Sequence, residues 1–112
     1  MTIRIPSALA VCAVLASFAT AAAAQNLVGN AAAGKQKASM CIGCHAIPGY
    51  RTAYPKVYHV PKIGGQQPEY IIAALKEYKD GERWHPSMRA IAGSLSDQDM
   101  ADLAAYFGGH KQ

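Results

Sequence analysis

Five consecutive residues, Cys41-Ile42-Gly43-Cys44-His45, constrain this chain more than anything else in it. The 112 residues include only three cysteines, and the third, Cys12, lies in an apolar leader. Thiols separated by two residues can close only a very small loop, which restricts little of the unfolded chain. The pair is therefore chemical rather than structural. A single domain of this size nonetheless needs more than its own core. Residues 25–112 hold 39 apolar residues, 13 of them alanine, so 26 larger side chains remain to be buried. The composition calls for a bound group, and the pentad offers a place to attach one.

A C-x-x-C-H run is the signature of covalent c-type haem attachment. Two thiols must reach two vinyl groups on one porphyrin edge, and a helical turn with two intervening residues presents both sulfurs on that side. His45 then lies beneath the ring with an imidazole nitrogen toward the iron. Two other chemistries use paired cysteines. Zinc needs two further ligands at suitable spacing, and His59, His85 and His110 show no paired spacing. A thioredoxin-like dithiol belongs to a βαβ unit, whereas this chain has almost no strand pattern. One covalent haem c with its iron is the preferred reading. It also supplies the missing apolar mass.

Residues 1–24 read as a secretory signal peptide, leaving a domain over 25–112. Arg4 is the positive n-region, Ala8 to Phe18 is uncharged and apolar, and Ala22-Ala23-Ala24 forms an A-x-A site before Gln25. The alternative is an uncleaved anchor, since the uncharged stretch continues to Gly29. Cleavage implies export to the periplasm and no membrane insertion afterwards. The exported domain has ten Lys/Arg against seven Asp/Glu, a net charge of +3 without a basic cluster. Nucleic-acid binding asks for such a cluster, so no nucleic-acid partner is expected.

The periodicity predicts three main helices. Asn30 caps the first, over Asn30 to Cys44. Gly34 within it suggests close approach by another element. Pro68 to Asp80 is the second, with Pro68 in its first turn, Gly81 at its end, and Ile71, Leu75 and Tyr78 on one stripe. Asp97 to Phe107 is the third, with Ser96 and Asp99 in capping-box positions and Met100, Leu103 and Phe107 facing inward. Ala46 to Gly65 reads as loop, broken by Pro48-Gly49, Tyr54-Pro55, Pro61 and Gly64-Gly65. Twenty irregular residues are unusual unless they wrap a prosthetic group. Gly81 to Leu95 reads as irregular or short helix.

With these stretches in order, the chain resembles the class I c-type cytochromes. The match runs through Cys41–His45, Pro61-Lys62-Ile63-Gly64-Gly65-Gln66, Pro68-Glu69-Tyr70, Gly81-Glu82-Arg83, Pro86-Ser87-Met88, Leu95-Ser96-Asp97 and Leu103-Ala104-Ala105-Tyr106-Phe107. It is closest to small bacterial monohaem cytochromes of the c553 kind and to one half of dihaem cytochrome c4. The resemblance implies an all-α fold, three main helices and long loops wrapped around one haem, with the terminal helices crossed. It implies that Gly34 sits at that crossing, against the helix bearing Tyr106. Many relatives carry an aromatic where this chain has Lys37-Ala38, which implies a thinner helix contact here. It also implies that the Pro61 carbonyl accepts the Nδ1 proton of His45 and that Ile63 packs on the haem.

The sixth ligand decides what such a haem does. Met100 belongs to an apolar helical stripe, and Met40 adjoins the attachment site. Met88 follows Pro86 between two helices, where a thioether can cross the distal face, and the resemblance points to the same residue. His85, His59 and an open position are the alternatives. With His45 and Met88 both on iron, a single-electron carrier between redox proteins, rather than an enzyme, is expected. The runner-up is a haem subunit held by a periplasmic dehydrogenase complex. Trp84, Tyr50, Tyr54 and Tyr58 line up as packing around the haem edge or as donors to its propionates. Lys35, Lys37, Lys56 and Lys62 flank the attachment segment and could steer acidic partners.

Overall fold

Asn30 opens the first helix as a side-chain cap, its Oδ1 accepting from the backbone N–H groups of Ala32 and Ala33. A computed structural model describes residues 27–110. The leader over 1–24, its cleavage point and Cys12 lie outside the described residues. In chain order the elements are α1 (Ala31–Lys37), α2 (Ser39–His45), β1 (Arg51–Thr52), β2 (Tyr58–His59), α3 (Pro68–Asp80), α4 (Pro86–Gly93) and α5 (Asp97–Gly109).

Two of these boundaries correct the sequence reading, and a third makes it more definite. The single helix expected over Asn30–Cys44 is divided at Ala38. There the Ala38 N–H turns back to the Lys35 carbonyl, and the Ala38 carbonyl accepts from both Cys41 and Ile42. This tight turn separates the segment that crosses α5 from the segment that bears the pentad. The region expected as unbroken loop contains a two-residue antiparallel ladder, Arg51 opposite His59 and Thr52 opposite Tyr58. A ladder this short leaves no readable alternation, because pairing rather than pattern defines it. Within Gly81 to Leu95, expected as irregular or short helix, Pro86 to Gly93 is a short helix with Pro86 in its first turn and the His85 side chain as its cap. Histidine is an uncommon cap, so the signal was weak.

The other helices follow their chemistry closely. Ser96 and Asp99 form a complete capping box at the start of α5, whose buried face presents Met100, Leu103, Ala104 and Phe107. Gly81 ends α3 with φ 88°, in the left-handed region that glycine occupies without strain. Ile71 and Leu75 from α3, Ala92 from α4, Leu95, and Ala38 complete one cluster around α5.

The crossing of α1 and α5 is a backbone contact. A Cβ on Gly34 would collide with the Asp102 carbonyl, and one on Gly29 with the Ala101 carbonyl. Tyr106 also borders Gly34, as the sequence suggests. The position that carries an aromatic in many relatives is filled by charge. Lys37 Nζ lies 2.6 Å from Asp99 Oδ1 and 2.7 Å from Asp102 Oδ2. Asp102 is only 3% exposed. Its other oxygen accepts from the Asn30 N–H and from Gln98 Nε2, each at 2.8 Å. A buried carboxylate is tolerable when both of its oxygens are paired in this way. At this contact Lys37 joins Asp99, Asp102, Asn30 and Gln98 in one ionic and hydrogen-bonded network.

Lys37 and the Asn30 N–H hold the Asp102 carboxyl below the usual carboxylate range, and Lys37 with Ser96 does the same for Asp99. The two aspartates raise the Lys37 ammonium above its ordinary value. The carboxylate contribution is complete above about pH 4, the unfolded value, and is lost as pH falls through the depressed folded values. The lysine contribution is complete below about pH 10 and is lost as pH rises through the raised folded value. Denaturant midpoints measured against pH should thus form a plateau between those limits, and Lys37→Met should flatten the acid side relative to the parent. Gly34→Ala should destabilise the domain by on the order of 3 kcal/mol, because helix backbones must separate. Guanidinium unfolding followed by far-UV circular dichroism checks both.

Candidate cofactor site

Cys41, Cys44 and His45 lie on α2 at positions i, i+3 and i+4, so one helical face presents all three. That face forms part of a cleft of about 650 Å³, walled by α2, the β hairpin, α3, α4 and α5. Leu75, Leu103, Phe107, Ile63, Ile71 and Ile91 contribute apolar wall. Both thiols are free. Burial pushes the Cys41 thiol up from its ordinary pKa, while Cys44 is exposed.

His45 is held by one bond. Its Nδ1 lies 2.7 Å from the Pro61 carbonyl oxygen. A carbonyl can only accept, so Nδ1 carries the proton and Nε2 keeps its lone pair. The same bond fixes the ring plane and makes Nε2 a better donor to a metal. Ile63, two residues beyond Pro61, packs against the core and lines the cleft.

Met88 reaches the same cleft from α4. It occupies the first turn of that helix, where its N–H approaches His85 Nδ1 at 3.5 Å. His85 also meets the Tyr58 ring edge-on at 5.9 Å between centroids. His59 Nε2 accepts from Arg51 Nε at 2.9 Å, which occupies one of its ring nitrogens. Met100 is fully buried in the core, in agreement with its place on the helical stripe, and Met40 stands beside the pentad at the cleft rim. Trp84 and Tyr58 line the cleft while remaining largely exposed, and Tyr54 is exposed at 74%.

Sequence reasoning missed one part of the wall. Arg83 folds back along α3, with Nε and Nη2 each 2.9 Å from Glu77 Oε2. Nη1 lies 3.3 Å from the Tyr70 hydroxyl, and the guanidinium sits 5.7 and 5.4 Å from the centres of the Tyr70 and Tyr78 rings. The Tyr70 hydroxyl, ahead of Tyr78 and Glu77, raises the Arg83 pKa. An arginine packed between two tyrosines is a rigid positive group on the cleft wall. Spacing along α3 places Tyr70, Glu77 and Tyr78 near one another, but nothing in the sequence indicates that a residue beyond Gly81 returns to them.

The donor set fits a covalently tethered haem. It offers two thiols on one face, an imidazole with its lone pair free, a thioether from a separate element and a largely apolar cleft of ordinary cofactor size. Among the described residues, no cluster of three or more His, Cys, Asp or Glu side chains could hold a bare metal ion. Among them, too, no helix is long and apolar enough to cross a membrane.

Comparison with known proteins gives the same assignment. The family model described as Cytochrome c matches residues 31–110. Cytochrome c4 of Pseudomonas aeruginosa is 41% identical over 83 residues, which are 74% of this chain and 39% of that protein. Cytochrome c-554(548) of Halomonas halodenitrificans is 39% identical over 82 residues, 70% of this chain and 94% of that protein. The cytochrome subunit of sulfide dehydrogenase from Chlorobaculum tepidum is 34% identical over 68 residues, 61% of this chain and 57% of that protein. The chain spans about two fifths of the cytochrome c4 relative and nearly all of the c-554(548) relative. With its pentad, its crossed helices and its cleft, the chain belongs to the cytochrome c family and carries covalently attached haem c.

Proposed function

We propose that this protein is a periplasmic monohaem electron carrier, with Cys41 and Cys44 as thioether attachment points and His45 and Met88 as axial iron ligands. The observation that carries the reading is the Nδ1–H of His45 held by Pro61, in a cleft that a methionine from a different helix also lines. Haem supplies an iron that cycles between ferrous and ferric states by one electron. The chain's residues decide how that iron is used. Pro61 holds the His45 proton on Nδ1 and so keeps Nε2 for the metal. The Met88 thioether would hold the iron together with His45 and would favour the ferrous state. With His45 and Met88 both holding the iron, oxygen and peroxide would find no site, and the protein would carry electrons rather than act as an enzyme.

The leader over 1–24 supports export, and the redox donors and acceptors would be other proteins. Ile42 and Ile47 are 42% and 47% exposed in and just beyond the pentad. A small apolar rim beside the attachment site suits the brief contacts of electron-transfer partners. One observation favours a second reading. The resemblance to a cytochrome subunit of sulfide dehydrogenase supports a haem subunit held in an enzyme complex. Co-purification of the native protein with a larger enzyme would select it, and isolation as a free haem protein would select the carrier.

The visible spectrum of the mature holoprotein tests the ligation. A c-type reduced spectrum, a far-red iron–sulfur band when oxidised and no shift with carbon monoxide are expected. A rapid carbon monoxide shift in the parent protein would reject the Met88 ligand. Met88→Ala should keep haem attached, open the iron to carbon monoxide and lower the potential by on the order of 0.1 V, within the wide span that axial ligands control. Cys41→Ala or Cys44→Ala should lower holoprotein yield and leave haem on a single thioether, as read by mass and by the pyridine haemochrome.

A further inference from the structure

Among the described residues, Thr52 Oγ1 is the buried side-chain oxygen or nitrogen without a hydrogen-bond partner. Buried hydroxyls are almost always paired, so an orphan of this kind marks a missing partner. Its surroundings narrow the choice. Thr52 pairs with Tyr58 across the hairpin, and both line the cofactor cleft. The neighbouring pair satisfies itself, Arg51 Nε donating to His59 Nε2. Just outside it, the Tyr50 carbonyl accepts from the Val60 N–H. Thr52 is thus left with a donor proton at the cleft wall.

Haem c brings one strong class of acceptor to such a wall. Its four ring nitrogens are engaged by iron, and its attachment edge is taken up by the two cysteines of α2. The carboxylates of its two propionates remain. We propose that Thr52 is a positioning residue whose hydroxyl donates a hydrogen bond to a haem propionate. A hydroxyl-to-carboxylate bond is charge-assisted and therefore strong for its size. It would give a partly desolvated carboxylate a fixed donor and would fix the haem edge that carries no covalent tether. Oriented donors also delocalise the carboxylate's negative charge, which otherwise favours ferric iron.

This inference rests on haem occupying the cleft, and the experiment separates the two. Thr52→Val keeps the shape and removes the donor. Thr52→Ser keeps the donor and removes the methyl group. Each matured holoprotein is first checked for a c-type spectrum without a carbon monoxide shift, which tests the ligation independently. Resonance Raman then reads the propionate-bending bands, which move when a carboxylate gains or loses a hydrogen bond. Thr52→Val is expected to shift one propionate band and to lower the reduction potential, while Thr52→Ser reproduces the parent in both. Thr52→Ala provides the same loss of donor should the valine variant mature poorly. Parent-like bands in a donor-less variant with an intact c-type spectrum would overturn the assignment and leave the hydroxyl to a buried water. A band shift shared equally by Thr52→Ser would also overturn it, since packing alone would then be responsible.

Discussion

At the crossing of α1 and α5 there is no room for a single Cβ. Gly34 lies against the Asp102 carbonyl, and the two helix backbones meet directly. That approach fixes where α1 ends, and the turn at Ala38 fixes how α2 leaves it. The pentad is therefore aimed by a contact made seven residues before it. Asp102 links the same crossing to the chain entering α1, through the Asn30 N–H, and to Lys37 near its end. A carboxylate buried at such a place is costly by itself. Here every partner comes from α1, its cap or α5, so the charge specifies how those elements register.

The core explains why a cofactor belongs in this fold. Its fully buried large side chains are Phe107, Met100 and Leu103, all on α5. The other helices pack their smaller apolar faces on that helix and turn Leu75, Ile71 and Ile91 toward the cleft. A flat apolar group there meets α2, α3, α4 and α5 together. Covalent attachment through Cys41 and Cys44, as proposed above, would make such a group a permanent part of the core. Some of the polar residues around the cleft are tied down, as the Arg83 pairing with Glu77 and Tyr70 illustrates.

Local chemistry made much of this legible in the sequence. The bounds of α3 follow from Pro68 and Gly81, and the start of α5 follows from Ser96 and Asp99, because caps and breakers act over one turn. The pentad was legible for the same reason: its spacing is itself a helical turn. Interactions between distant residues were hidden. Nothing near Lys37 announces that its partners are Asp99 and Asp102, and nothing near Arg83 announces Tyr70. The hairpin escaped because two-residue strands carry no period, and the bounds of the short helix at Pro86 because its cap is a histidine. The pairing of His45 with Pro61 lies between these cases: it joins distant residues, yet resemblance to a family suggested it and the 2.7 Å separation accords with it.

The placement of the two proposed ligands on separate elements has a mechanical consequence. His45 ends α2, and Met88 lies in the first turn of α4. Each element is tied independently: α2 through Ala38 and the Pro61 bond, α4 through Ala92 in the core. Neither ligand then has to move when the other does. Electron transfer is fastest when bond lengths and angles change least between oxidation states. An imidazole fixed by a backbone carbonyl and a thioether carried on a core-packed helix satisfy that requirement with ordinary packing and one hydrogen bond. On this view the fold contributes rigidity and shielding to the iron, and leaves the redox chemistry to the haem.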